Sequence, residues 1–211
     1  MTKLKTSIQA FSAARSKKRP SGRTKMSNNP VSARPVRLDT AQLKESCGTL
    51  RCGDRVLLSG TVYTARDAAH KRIFELLNSS SPLPFDLNGA VIYYAGPTPA
   101  PEGKAVGSCG PTTSSRMDAY TPRLMSLGLI ATIGKGERSE EVYRAVKENR
   151  GVYFCATGGA GALLSRHIRS AEIIAFPELG CEAVRRLTVF ELPVTVAADC
   201  SGGIIFERQA E

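Results

Sequence analysis

The chain has 211 residues and a formal net charge of +10, and 42% of its residues are hydrophobic. This length and composition suit a single globular domain with a core of its own. No apolar run approaches the roughly 20 residues that span a bilayer. The N-terminal segment also lacks the apolar centre of a secretory signal, so we expect neither a membrane partner nor a secreted protein and predict a cytoplasmic location.

The basic excess lies at the start of the chain. Residues 1–37 contain ten Lys or Arg and no Asp or Glu, whereas the rest of the chain has 19 basic and 19 acidic residues. The folded body is therefore neutral, and nucleic acid is not an expected partner. We predict a disordered basic extension over residues 1–36 and one domain over 37–211. A transit peptide and a true start at Met26 stay open as alternatives for the tail.

Strand and helix patterns alternate along the body of the chain. Strands are predicted over residues 54–63, with a possible bulge at Gly60, and over 90–95, 129–133, 152–156, 172–176, 194–198 and 203–206. Helices are predicted over 66–77, from 112 onward with an interruption at Pro122, over 139–149 and over 160–167. This alternation predicts an α/β domain with a partly parallel sheet.

Three motifs follow the ends of predicted strands. Arg66, Lys135 and the pair Gly158-Gly159 each follow the C-terminal end of one within three residues. Ligands of open α/β sheets bind at the carboxyl ends of the strands, so these segments are expected to converge. A guanidinium matches a carboxylate with two hydrogen bonds. On spacing alone, a surface Arg paired with Asp67 and a solvated Lys in a tight turn remain the alternatives.

The most informative segment is 110–118, Gly-Pro-Thr-Thr-Ser-Ser-Arg-Met-Asp. Pro111 cannot continue a strand, and Thr112 or Thr113 is predicted to cap a helix. The free amides of such a helix, together with Arg116 one turn later, would suit a carboxylate or phosphate. An ordinary helix cap followed by a surface Arg is equally compatible with the spacing.

The 110–118 segment resembles the signature of the class I fumarase and tartrate dehydratase family, in its β subunit or the corresponding C-terminal domain. Further segments resemble other sequence motifs of this family and occur in the same order, at residues 64–72, 82–89, 94–97, 133–136 and 157–160. Several ordered matches are more specific than one motif. The resemblance covers roughly residues 37 to 207 and implies a single swivelling β/β/α domain.

The resemblance implies the β subunit of a two-subunit fumarate hydratase, which adds water reversibly to fumarate and gives L-malate. The implied partner is an α subunit, in an α2β2 assembly, that carries a [4Fe–4S] cluster. The implied substrate ligands are Arg66, Arg116 and Lys135, and Thr112 is the implied catalytic residue for the C3 proton. Its hydroxyl would need a lowered pKa. The residues expected to support them are Asp67, His70, Thr113, Asp118, Gly158 and Gly159.

Asp67 and Asp118 are expected to orient the two arginines, and His70 is expected to be structural. The β subunit of L-tartrate dehydratase is the alternative, and a non-catalytic binding module of the same fold is a second one. Ala68-Ala69 and the Met117-Asp118 ending favour the fumarase branch. Ala65 stands where a Gly is expected before the Arg.

Six cysteines occur without the tight spacing of a cluster or zinc site. Cys47 and Cys52 form an isolated pair, and metal sites of this kind need three or four ligands. We therefore predict that this chain binds no metal alone and that most of its cysteines are small buried residues. Cys109 is of interest because it adjoins the 110–118 segment.

Overall fold

The computed structural model describes residues 34–206, so the predictions for residues 1–33 lie outside it. The strands of this part are β1 (Val36–Asp39), β2 (Arg55–Thr64), β3 (Val91–Tyr93), β4 (Ala131–Gly134), β5 (Val152–Cys155), β6 (Ile168–Ala175) and β7 (Val184–Ala198). Its α-helices are α1 (Leu43–Ser46), α2 (Asp67–Asn78), α3 (Thr121–Ser126), α4 (Glu140–Glu148) and α5 (Gly161–Leu164). Short 3₁₀ segments occupy Thr40–Gln42, Cys47–Thr49, Ser114–Met117, Ser165–His167 and Pro177–Glu182, the last of which is kinked at Gly180.

The strands form one mixed sheet. β1 to β5 pair in parallel in the order β1-β2-β3-β4-β5. β7 runs antiparallel to β6, to β5 and, along its other edge, to β2. The pairings from β2 through β3, β4, β5 and β7 therefore return to β2 as a closed circuit. The predicted α/β class with a partly parallel sheet is confirmed.

Both faces of the central strands are buried. Every residue of β3 and β4 is buried, as expected where parallel strands are covered on both sides. Alternate residues of β3 pack into different hydrophobic clusters. Val91 and Tyr93 belong to a first cluster made mainly of strand residues, and Ile92 belongs to a second cluster that includes helix residues. In α2, Ile73 is among the residues buried against this second cluster.

Several boundaries differ from the prediction. β7 begins at Val184 rather than at 194, because Pro193 within it masks the strand pattern. The predicted strand at 203–206 is wrong, since Ile204 makes only an isolated bridge with Ala198. The bulge at Gly60 is confirmed: the register of β2 with β7 shifts there, φ is +109°, and a Cβ would overlap the side chain of Thr40.

Candidate functional site

Four neighbouring parallel strands end side by side at one edge of the sheet. Arg66 lies two residues beyond β2, Gly96 three residues beyond β3, and Lys135 directly beyond β4. Gly158 follows β5 in the next loop. The side chain of Arg66 crosses to Gly96, where a Cβ would lie 3.0 Å from Arg66 Nη1. Likewise, a Cβ at Gly158 would lie 3.4 Å from Lys135 Cδ, so adjacent strand ends are in contact.

The first part of the 110–118 segment, up to Thr113, runs across these strand ends as extended chain, and the 3₁₀ turn Ser114–Met117 follows it. The Thr112 N–H donates to the Tyr94 carbonyl (2.7 Å), and the Ser114 N–H donates to the Lys135 carbonyl (2.9 Å). Lys135 N–H donates in return to Ser114 Oγ at 2.9 Å. Gly134 permits this approach, because a Cβ there would overlap Ser114 Oγ. The segment thus joins Thr112 to the end of β3 and Ser114 to the end of β4.

The predicted helix cap in this segment is wrong. Thr113 precedes a 3₁₀ turn and makes no capping hydrogen bond with its side chain, and its backbone pairs with Lys135 instead. The next α-helix starts at Thr121, and Pro122 lies in its first turn, a favoured place for proline. The 110–118 segment therefore bonds through its backbone to Tyr94 and Lys135. The anion-binding helix terminus expected in this segment does not form.

Arg66 and Arg116 share one carboxylate. Asp67 Oδ2 lies 2.9 Å from Arg116 Nη2 and 3.9 Å from Arg66 Nη2. The shorter contact is an ion pair without hydrogen-bond alignment, and within the described chain Arg66 Nε is buried without a partner. Asp67 therefore holds two guanidinium groups together, and Arg66 retains an unused donor.

Glu182 is a site neighbour that the sequence did not reveal. Its Oε2 accepts the Ala68 N–H (2.8 Å) at the start of α2, and its Oε1 lies 3.5 Å from Arg66 Nη2. Arg185 supports its loop by donating to the Gly180 carbonyl at 2.8 Å. No sequence signal links Glu182 to Ala68, which is 114 positions away. The N-terminus of α2 is therefore already bonded to a carboxylate of the protein itself, that of Glu182.

Asp118 does not orient Arg116 as predicted. Its Oδ1 lies 2.6 Å from Nε of Arg138, and its Oδ2 accepts the Ser139 N–H at 2.6 Å. The Arg138 side chain is 0% exposed, and it also donates to Thr121 Oγ1 at 2.7 Å. Arg138 was not among the site residues predicted from the sequence. Arg138 lies just before α4, where a positive charge interacts unfavourably with the helix dipole. This unfavourable position is the sequence signal that could have indicated a buried carboxylate partner for Arg138.

His70 packs beneath Arg66. Its Nδ1 lies 2.8 Å from the Arg66 carbonyl, and its ring contacts those of Tyr94 and Tyr120. Burial is the main cause that lowers the pKa of His70 to about 4. The imidazole is therefore neutral near pH 7, with Nδ1–H donating to that carbonyl. These contacts suit the structural role that the sequence analysis expected.

The low pKa of His70 predicts a specific loss of stability in acid. On acidification the unfolded chain protonates first, near pH 6.5, and the folded chain only near pH 4, so unfolding is favoured in between. The full difference corresponds to about 3 kcal/mol. Urea unfolding at pH 7 and pH 4.5 should show a smaller decrease for His70→Gln than for wild type. His167→Gln should keep the wild-type decrease; equal decreases in all three proteins would contradict the prediction.

The remaining predicted residues have clear positions. Lys135 is half-buried, with its side chain lying over Gly158, and Thr112 is half-buried beside the end of β3. Thr113 is exposed, and so are Gly158 and Gly159. The structure therefore brings Arg66, Asp67 and Arg116 together at one end of the signature segment. It brings Lys135 and Gly158 together beyond the ends of β4 and β5, where Lys135 bonds to Ser114 in the middle of that segment.

The described residues contain no group of three His, Cys, Asp or Glu side chains that could hold a metal ion.

Burial raises the pKa of the Cys109 thiol to about 12, so this neighbour of the 110–118 segment is unreactive. The prediction that most of the cysteines are buried is wrong: Cys47 and Cys109 are buried, Cys52, Cys155 and Cys200 are partly buried, and Cys181 is exposed. In the same part of the chain, no helix is long and apolar enough to cross a membrane.

An α/β domain that gathers Arg66, Arg116 and Lys135 at the carboxyl ends of its parallel strands presents an edge suited to an anionic ligand. The sequence model described as "Fumarase C-terminus" matches residues 6–209. The chain therefore belongs to the fumarase C-terminal family.

Named relatives agree with this family. "Fumarate hydratase 2" of Leishmania major is 42% identical over 158 residues, 74% of this chain and 28% of that protein. "Fumarate hydratase class I, aerobic" of Escherichia coli K12 is 37% identical over 83% of this chain and 32% of that protein. The chain spans about a third of the length of these curated relatives. "Putative L(+)-tartrate dehydratase subunit beta" of Methanocaldococcus jannaschii is 39% identical over 78% of this chain and 88% of its own length.

Proposed function

We propose that this chain is the β subunit of a two-subunit class I fumarate hydratase that interconverts fumarate and L-malate. The observation that carries the proposal is the signature segment, which lies across adjacent strand ends with Arg116 at one end and Lys135 bridged to Ser114. This arrangement occurs in a member of the fumarase C-terminal family. The cytoplasmic location predicted from the sequence belongs to the same proposal.

The cationic side chains match a substrate with two carboxylates. Arg66 and Arg116 are held together by Asp67, so both can face one carboxylate, and the planar guanidinium binds it with two hydrogen bonds. Lys135 lies beyond Thr113 along the signature segment and would bind the second carboxylate. Thr112 is bonded to the end of β3, the strand between those that lead to Arg66 and Lys135, and would exchange the C3 proton of malate. A cation close to this hydroxyl would favour its alkoxide form and so lower its pKa.

We propose a partner because, among the described residues, the acidic groups and the imidazole at this edge are already engaged or buried. Asp67 and Glu182 are engaged with the arginines or with α2, and His70 is buried. The relative from Methanocaldococcus jannaschii, which this chain nearly spans, is named as a β subunit. We therefore propose an α subunit in an α2β2 assembly. Its [4Fe–4S] cluster would supply a Lewis acid for the substrate hydroxyl and carboxylate.

The β subunit of L-tartrate dehydratase is the second candidate. The observation that favours it is the match across 88% of the Methanocaldococcus jannaschii protein named for that activity. Tartrate also has two carboxylates, so the same three cations would bind it. Its additional hydroxyl would have to be accommodated by the α subunit or by the exposed rim around Thr113.

The test is anaerobic co-expression of the full chain with a candidate α subunit. Fumarate hydration is measured for the chain alone and for the purified complex. We expect activity in the complex only, with loss of that activity on exposure to air and in Arg116→Ala. The matched control is Arg123→Ala, because Arg123 is bonded to Asn78 on the surface. A complex that dehydrates tartrate but not malate supports the second candidate, and no complex with no activity contradicts both.

A further inference from the structure

The hydroxyl of Tyr153 lies within hydrogen-bond distance of two groups next to Lys135, the Ser114 hydroxyl and the Gly136 carbonyl. Its side chain is fully buried on β5, and its Oη lies 2.9 Å from Ser114 Oγ and 2.7 Å from the Gly136 carbonyl. Ser114 Oγ is the acceptor of the Lys135 N–H, and Gly136 is the next residue along the chain. Tyr153 therefore bridges both sides of the Lys135 backbone.

The geometry points to Tyr153 as a positioning residue for Lys135 and for the adjoining part of the signature segment. The hydroxyl does not need to touch substrate for this role, because it acts through the Ser114 hydroxyl and the Gly136 carbonyl. The inference rests on the proposed function in one respect: it takes Lys135 as a ligand of a substrate carboxylate. Nothing in the sequence marks Tyr153, which reads as an ordinary core residue of a buried strand.

The bridge is rigid because Tyr153 is itself fixed. The Arg138 guanidinium lies 4.9 Å from the centre of its ring, and Arg138 is held by Asp118 and Thr121. Burial raises the pKa of the Tyr153 hydroxyl above its ordinary value, so the group remains a donor across the pH range of the enzyme. A fixed donor in contact with two backbone-holding groups limits the positions open to Lys135.

The position of Lys135 matters because of its long side chain. Its ammonium lies four carbons from the backbone, so a small shift of that backbone moves the charge away from a bound carboxylate. Positioning errors of about 1 Å can reduce rates about 100-fold when they affect reacting groups. Lys135 is proposed to bind substrate, and the effect of losing the bridge should therefore appear mainly in KM.

The test is Tyr153→Phe in the co-expressed complex, with Tyr63→Phe as the matched control. Phenylalanine keeps the buried ring and removes only the hydroxyl, and Tyr63 stacks on Phe85 away from Lys135. We expect KM for fumarate to rise about tenfold, kcat to fall less than threefold, and the control to match wild type. An unchanged KM, or a fall in kcat alone, would overturn the inference.

Hydrogen exchange in the same complex separates this inference from the proposed function. The Tyr153→Phe protein should exchange faster across residues 113–115 and 134–137, with the rest of the domain as in wild type. If the wild-type complex has no hydratase activity, the proposed function fails and exchange alone decides the inference. Faster exchange confined to these two segments supports positioning, and unchanged or uniformly faster exchange contradicts it.

Discussion

Replacing Arg138 with methionine should lower the free energy of unfolding by about 3–5 kcal/mol, because it leaves a buried carboxylate without its cation. The Asp118 side chain is only 13% exposed, and the guanidinium of Arg138 is its ion-pair partner. The hydroxyls of Thr121 and Thr132 would also lose a donor. Burial alone would lower the pKa of Arg138, but Tyr94 and Asp118 outweigh it and raise the pKa above its ordinary value.

Chemical unfolding of the full chain, followed by circular dichroism, measures this loss. Arg123→Met is the matched control, since Arg123 is an exposed Arg bonded to Asn78, and it should change stability by less than about 0.5 kcal/mol. The double variant Arg138→Met with Asp118→Asn should recover part of the loss, because no uncompensated charge remains. A loss below about 1 kcal/mol in Arg138→Met would show that water or a shifted side chain replaces the pair.

The strand ends of the site were predictable because their signals are local. Apolar runs followed by Arg66 and Lys135 indicated two parallel strands and two loops at their carboxyl ends, and the structure has both. The helix expected after Pro111 did not form, since the extended backbone finds partners at Tyr94 and Lys135. Local propensity favoured a cap there, but hydrogen bonds to distant strands determined the conformation.

The partners of the site residues were less accessible to sequence reasoning. Asp67 follows Arg66 directly and was expected to orient an arginine, but its contacts with both Arg66 and Arg116 were not predicted. Asp118 is adjacent to Arg116's turn, yet its partner is Arg138, which lies 20 positions along the chain. Glu182 reaches Ala68 only because a distant loop folds back onto α2. Pairings of this kind depend on tertiary geometry, and one sequence carries no periodic signal for them.

In the proposed hydratase complex, replacing Lys135 with methionine should reduce kcat/KM for fumarate by about 30- to 1,000-fold, equivalent to about 2–4 kcal/mol of lost substrate binding. Among the described residues, the ion pairs of the site involve Arg66 and Arg116, and Lys135 belongs to none of them. Its removal therefore leaves no carboxylate of the protein unpaired. Stability should stay within about 0.5 kcal/mol of wild type, and the loss should be one of function.

The comparison with Lys147→Met isolates the effect of position from that of charge. Lys147 is an exposed residue in the last turn of α4, so its variant removes the same charge away from the site and should keep wild-type kcat/KM. Steady-state kinetics of both complexes with fumarate and with malate give the result. A Lys135→Met complex that retains more than a third of wild-type kcat/KM would remove Lys135 from the substrate site. The carboxylate beyond Thr112 would then have to be bound by the partner subunit.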